Sequence, residues 1–247
     1  AHGGRLECGT IELTSTGGST PRESFQTIPF QQTYDQTPLV FVLASNEGVD
    51  PAAIRVRNVG TTTFEASQVE PPNEDGPHAA MEMTYVAAEP GIHRIGDLTV
   101  EAGSFNFGGG SNEGISSSNY DDNQWADISF THGFAEAPAV LTGIQTAVNE
   151  NNNPPGENPN PWITSRAKDI TATSALITMD VTKTGDLAAI TQDEQLAYAA
   201  IAGGTGSFPA ASGSSIDFDA FISGVAIEGW TDTVPDGTGY EIGFTQS

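Results

Sequence analysis

Of the 247 residues, 32 are Asp or Glu and only 8 are Lys or Arg, which leaves a formal charge of −24. A surface this acidic repels nucleic acid and anionic lipid, because it has too few basic groups to displace counterions from phosphate. The single cysteine, Cys8, rules out an intramolecular disulfide or a thiolate metal cluster, and no apolar run approaches the ~20 residues of a membrane helix.

Hydrophobic residues make up 37%, with 28 Gly and 15 Pro, so the chain has core material but is cut into short pieces by turns. That balance predicts strands rather than long helices. Acidity combined with abundant Asn, Thr and Gly is the composition of an exported chain, and salt screening would mute its self-repulsion. An extracellular or cell-surface location is therefore expected.

In chain order, "FQTIPF" from Phe25 alternates imperfectly, and "LVFVLAS" from Leu39 is a continuous apolar run suited to a strand at a sheet centre. "AIRVRNV" alternates, which predicts Ile54 and Val56 on one face and Arg55 and Arg57 on the other. "TTTFEASQVE" and "MEMTYVAA" read as further strands, with turn signals in "NEGVDP", "NVGTT", "PPNEDGP" and "EPG".

The pattern then repeats. Phe25, Ile28, Phe30, Tyr34, Pro38 and Val40 are answered one hundred residues later by Trp125, Ile128, Phe130, Phe134, Pro138 and Val140. The offset grows to 111 between "RNVGTTTFEAS" and "KDITATSALIT", and to 113 between Tyr85 and Tyr198. The extra residues fall in "NENNNPPGENPNP", a polar, Pro-rich stretch suited to a surface loop. "TSALITMDV" and "EQLAYAAIA" are rich in the helix formers Ala and Leu, but the repeat assigns them to strands.

The expected fold is thus all-β, two tandem antiparallel β-sandwich units. The first covers residues 1–103, a Gly/Ser-rich linker or loop covers 104–124, with an edge strand admitted around Phe105 and Phe107, and the second unit covers 125–247. Alternation at Ile216, Phe218 and Ala220 predicts that the C-terminal stretch completes the second sandwich, with a hairpin at "VPDGTG".

The pieces "FQQTYDQTPLVFVL", "RNVGTTTFEAS" and "MTYVAAEPG" resemble the H-type lectin domain. That resemblance implies six-stranded antiparallel sandwiches that bind sugars and commonly form trimers, as in modules of bacterial surface and pilus-associated proteins. The closing strand of that family often carries Trp where this chain has Tyr85 and Tyr198.

The candidate ligand residues follow from chemistry. Arg55 and Arg57 can fork to hydroxyls, sulfates or carboxylates, or else relieve acidic crowding. Trp162 and Trp230 can offer a ring face to a pyranose, or else pack in a core. If their loops share a rim, His78, Tyr85, His93 and Arg94 compose a β-elimination set: a His or Tyr takes the proton and Arg neutralises a uronate. The bland alternative is solvated loop histidines. Calcium is admitted at "NYDDN" and "NENNN", although neither has EF-hand spacing, and no other cofactor is indicated.

The leading expectation is a non-catalytic polysaccharide-binding module that can form homo-oligomers. A structural subunit of an extracellular filament or adhesin is the second reading, and a polysaccharide lyase the third.

Overall fold

The computed structural model describes residues 4–14, 25–44, 53–69, 80–96, 98–108, 125–149, 163–181, 192–209 and 215–220. The described residues form β-strands and no helix.

The first unit contains β1 (Leu6–Leu13), β2 (Gln26–Pro29), β3 (Leu39–Ala44), β4 (Ala53–Arg57), β5 (Thr63–Val69) and β6 (Met81–Ala88). They form two three-stranded antiparallel layers, β1-β6-β3 and β2-β5-β4. Alternate residues point between the layers, as the two-residue strand period requires. Val40, Met83, Tyr85 and Ala87 meet Ile28, Val56, Phe64 and Ala66 there. Phe30 stacks on Phe64 at 5.1 Å, and Phe64 lies 5.3 Å from the Tyr85 ring.

β7 (Gly91–Ile95) and β8 (Leu98–Phe107) follow as a hairpin, and β13 (Glu194–Ile201) pairs along its whole length with the Val100 to Phe107 part of β8. β8 is therefore the opening strand of the second unit, and the break expected at residue 103 falls inside it. The residues expected to start a linker, 104–107, are the end of a ten-residue strand.

The second unit continues with β9 (Ala126–Ser129), β10 (Ala139–Ile144), β11 (Ile163–Lys168) and β12 (Ser174–Val181). Its layers, β10-β13-β8-β7 and β11-β12-β9, repeat those of the first unit with β7 added at an edge. The Ala- and Leu-rich segments are strands here, as the repeat required. Phe130, Ile163, Ile177, Leu196 and Tyr198 fill this second core.

β14 (Gly204–Pro209) and β15 (Ser215–Ala220) form a separate two-stranded sheet. Among the described residues the segment at Ile216–Ala220 pairs with β14 and joins neither layer of the second sandwich; the strand pattern was right, and the rest of the C-terminal stretch lies outside the described residues. The hairpin expected at "VPDGTG" lies outside the described residues.

A third apolar cluster joins the two units. Leu39, Phe41 and Ala88 of the first pack against Val100, Ala102, Ala197 and Ala199 of the second. β13 is consequently buried on both faces, which accounts for its nearly unbroken apolar sequence. Beside the cluster, the Gln145 side chain bonds both backbone groups of Val40, accepting from its N–H and donating to its carbonyl, each at 2.8 Å. The amide closes an open strand edge of β3 that would otherwise be a pairing hazard.

Candidate functional site

The two arginines expected to share a binding face have different surroundings. Arg55 on β4 is only 1% exposed. Its guanidinium donates to the Thr146 carbonyl at 2.9 Å and lies 3.6 Å from the Glu194 carboxylate, which is itself fully buried. It cannot meet a sugar in this arrangement, because the second unit covers it. Arg57 is half-buried, bonds Glu65 at 2.7 Å and lies 3.8 Å from the centre of the Phe25 ring. Trp162, Trp230 and His78 lie outside the described residues.

The proposed β-elimination set does not assemble on an open rim. Tyr85 is a core residue whose hydroxyl donates to Glu7 at 2.7 Å. Burial, with that hydrogen bond and the nearby negative charge, pushes its phenol up to about 12, the wrong direction for a base at neutral pH. His93 on β7 is 2% exposed, with its ring nitrogens 3.0 Å from the Gly4 carbonyl and 2.6 Å from the Glu89 carbonyl. Arg94 on the same strand is exposed. A buried phenol bonded to a carboxylate, a buried imidazole held by backbone carbonyls and one exposed cation give a packing arrangement, with no route for a polymer to the phenol.

Polar groups that the sequence reading passed over turn out to organise the interior. Glu7 accepts from the Tyr85 hydroxyl and from the backbone N–H groups of Gln31 and Gln32, at 2.7, 3.0 and 3.2 Å. Glu101 does the same in the second unit, accepting from Tyr198 at 3.1 Å, Thr131 at 2.8 Å and His132 at 2.6 Å. Each glutamate pins the turn after β2 or β9 to the opposite layer. Gly9 and Gly103, two residues further on, sit directly opposite Tyr85 and Tyr198 in the ladder. A Cβ at either glycine would come 2.6 Å from the tyrosine ring, so the ring lies across the missing side chain. The signal was present as "LECG" and "VEAG", but these stand 94 residues apart and so fall off the hundred-residue register.

Two further carboxylates hold loops. Glu89 accepts from the backbone N–H groups of Arg5, Asp35 and Gln36 at 2.8, 2.7 and 2.9 Å. Burial alone would raise its pKa, but these donors, helped by the Arg5 charge, hold it below the usual carboxylate range. Glu194 accepts from the Asn149 side chain at 2.8 Å and its N–H at 3.1 Å, and from the Thr146 hydroxyl.

An aromatic–cation cluster lies on the outer layer of each unit. In the first it is Phe25 with Arg57; in the second, the half-buried Trp125 ring has the Lys168 ammonium 4.2 Å and the Arg166 guanidinium 5.1 Å from its centre. Phe25 and Trp125 are repeat-related, one hundred residues apart.

Among the described residues no group of three or more His, Cys, Asp or Glu is placed to hold a metal ion, and the acidic stretches considered for calcium lie almost wholly outside them. No helix among them is long and apolar enough to cross a membrane. No family model matches the chain, and no curated protein or solved structure is significantly similar to it.

Proposed function

We propose that this chain is a structural subunit of an extracellular filament or adhesive appendage, in which paired β-sandwiches act as a stiff, acidic spacer. The observation carrying this reading is the joint between the units. A buried ion pair takes up Arg55, one of the candidates for a ligand contact, and with a two-point amide clasp and an apolar cluster it holds the two units together. A binding module displays such residues; a spacer spends them on its own rigidity. The net charge of −24 keeps such a rod soluble and free of non-specific contacts. Analytical ultracentrifugation and negative-stain microscopy in dilute, high-salt solution are the test. Strand pairing and apolar contact are little screened by salt, so assemblies persist there. A purely monomeric species across concentrations would defeat the proposal.

Polysaccharide binding is the second reading, supported by Trp125 with Arg166 and Lys168. Four of the eight basic residues, Arg55, Arg57, Arg166 and Lys168, fall on β4 and β11, against a heavily acidic background. An aromatic ring flanked by two cations suits a sulfated or uronate sugar. On this reading Trp125→Ala abolishes retention on an insoluble anionic polysaccharide and added salt weakens it; equal retention of variant and parent would dismiss the site.

A further inference from the structure

β1 and β8 are the same strand of the repeat. Each carries the buried glutamate and the tyrosine-covered glycine, and each pairs with the tyrosine strand, β6 or β13. Their other edges are treated differently. Along β8 lies β7, with Gly91 opposite Ala102 and His93 opposite Val100. The matching residues of β1 are Cys8 and Leu6. Their carbonyls accept side-chain amides instead, from Gln31 at 3.0 Å and Gln32 at 3.2 Å. The second unit has Thr131 and His132 at the places of Gln31 and Gln32.

The strand that would match β7 exists elsewhere in the chain. β14 leaves β13 as β7 leaves β6: both begin with a glycine at positive φ, Gly91 at 129° and Gly204 at 126°. Just before each, equivalent backbone bonds run from Glu89 N–H to the Arg5 carbonyl and from Ala202 N–H to the Thr99 carbonyl. β7 goes on to border a complete unit, whereas among the described residues β14 pairs with β15 alone. The faces are not equivalent: Leu43, 54% exposed, stands where the second unit has Gly143 close against the Val40 carbonyl of the first unit, so the likeness to the internal joint is confined to the strand edge.

We infer that the β1 edge is an acceptor for β14 of a second copy of this chain, joining copies head to tail by an edge pairing like that of β7 with β8. The inference rests on the structural-subunit reading. Gln31 and Gln32 are the caps that the incoming strand displaces. Two side-chain amides on an exposed edge protect it from chance pairing but yield to a continuous ladder of main-chain bonds. Transferring the β7–β8 register sets Gly204 opposite Cys8 and Gly206 opposite Leu6. Because the contact is heterologous, it propagates.

The native Cys8, which is exposed, supplies the test. Gly206 is its diagonal neighbour in the expected ladder, about 7–8 Å away and within reach of a short bismaleimide. Protein with native Cys8 is mixed with a tagged Cys8→Ala, Gly206→Cys version and treated with the reagent. A crosslinked heterodimer is expected, and none when Thr173→Cys on the far hairpin replaces Gly206→Cys. In the acceptor, Gln31→Ala with Gln32→Ala is expected to raise the yield roughly ten-fold, as loss of two competing hydrogen bonds allows, and to shift sedimentation toward larger species without any cysteine in β14. Assemblies without the crosslink, or indifferent to the two glutamines, overturn this joint while leaving the filament reading standing. A monomer in every version overturns both.

Discussion

A glycine facing a tyrosine is the smallest unit of this architecture on which a measurement can be made. Gly103→Ala places a methyl group 2.6 Å from the Tyr198 ring, and Gly9→Ala does the same against Tyr85. Neither ring can retreat from its core without breaking its bond to glutamate. Each substitution is expected to cost about 1–3 kcal/mol in chemical denaturation, with more lost if the glutamate contact breaks. The same tyrosines set the alkaline limit. Folding raises both phenols from 10.0 to about 12 through burial, with Glu7 or Glu101 adding to the effect. An acid whose pKa is raised on folding stabilises the fold fully below the unfolded value, and that contribution is lost as pH rises through the folded one. Unfolding followed by circular dichroism should therefore set in above about pH 10, with tyrosinate absorbance appearing together with loss of structure. Glu89 behaves oppositely: its pKa is lowered, so its contribution is present above the unfolded carboxylate range and disappears as pH falls below it. Glu89→Gln should flatten the acid limb of the stability curve; an unchanged limb would remove that role.

Strands β4 and β13 meet where the two units join, and the ion pair between Arg55 and Glu194 there is the interaction most exposed to mutational test. Glu194→Ala leaves a buried guanidinium without its carboxylate and is expected to destabilise by about 3–5 kcal/mol. Replacing both partners with leucine should recover much of that, since a buried pair contributes little over well-packed apolar side chains. The same strands show how far the sequence could be read. Core-facing alternation and the hundred-residue echo identified β2, β3, β5, β9, β10 and the tyrosine strands, because these repeat in both spacing and residue type. β1 escaped, and β8 was read only at Phe105 and Phe107: "LECGTIEL" and "VEAGSFNF" share little beyond one Glu and one Gly, and the intervening loops differ in length. Arg55 was assigned to the correct strand but to solvent. Periodicity within a strand says which side a residue is on, and it carries no information about what a distant part of the chain lays over that side.

At the level of the whole molecule, Leu39, Phe41 and Ala88 share one apolar cluster with Val100, Ala197 and Ala199, which couples the halves. A single calorimetric transition is expected. Ala199→Asp, which puts an unpaired charge into the joint, should split it into two transitions or lower it sharply; a single unshifted transition would mean the contact contributes nothing to cooperativity. High salt should raise the melting temperature, since screening relieves repulsion among the acids while the joint is held by contacts that salt leaves alone.

The receiving face of the second unit is paved with Ala102, Gly143, Ala197 and Ala199, whereas the same positions of the first carry Cys8, Leu43, Thr84 and Val86. Duplication has therefore been followed by specialisation, and the two copies are no longer interchangeable. A gene rebuilt with the halves transposed would press bulky and polar side chains where only small ones fit, and would yield two loosely tethered beads rather than one stiff body. The molecule thus has a direction, from plug to socket, written into which of its twin domains kept the small residues.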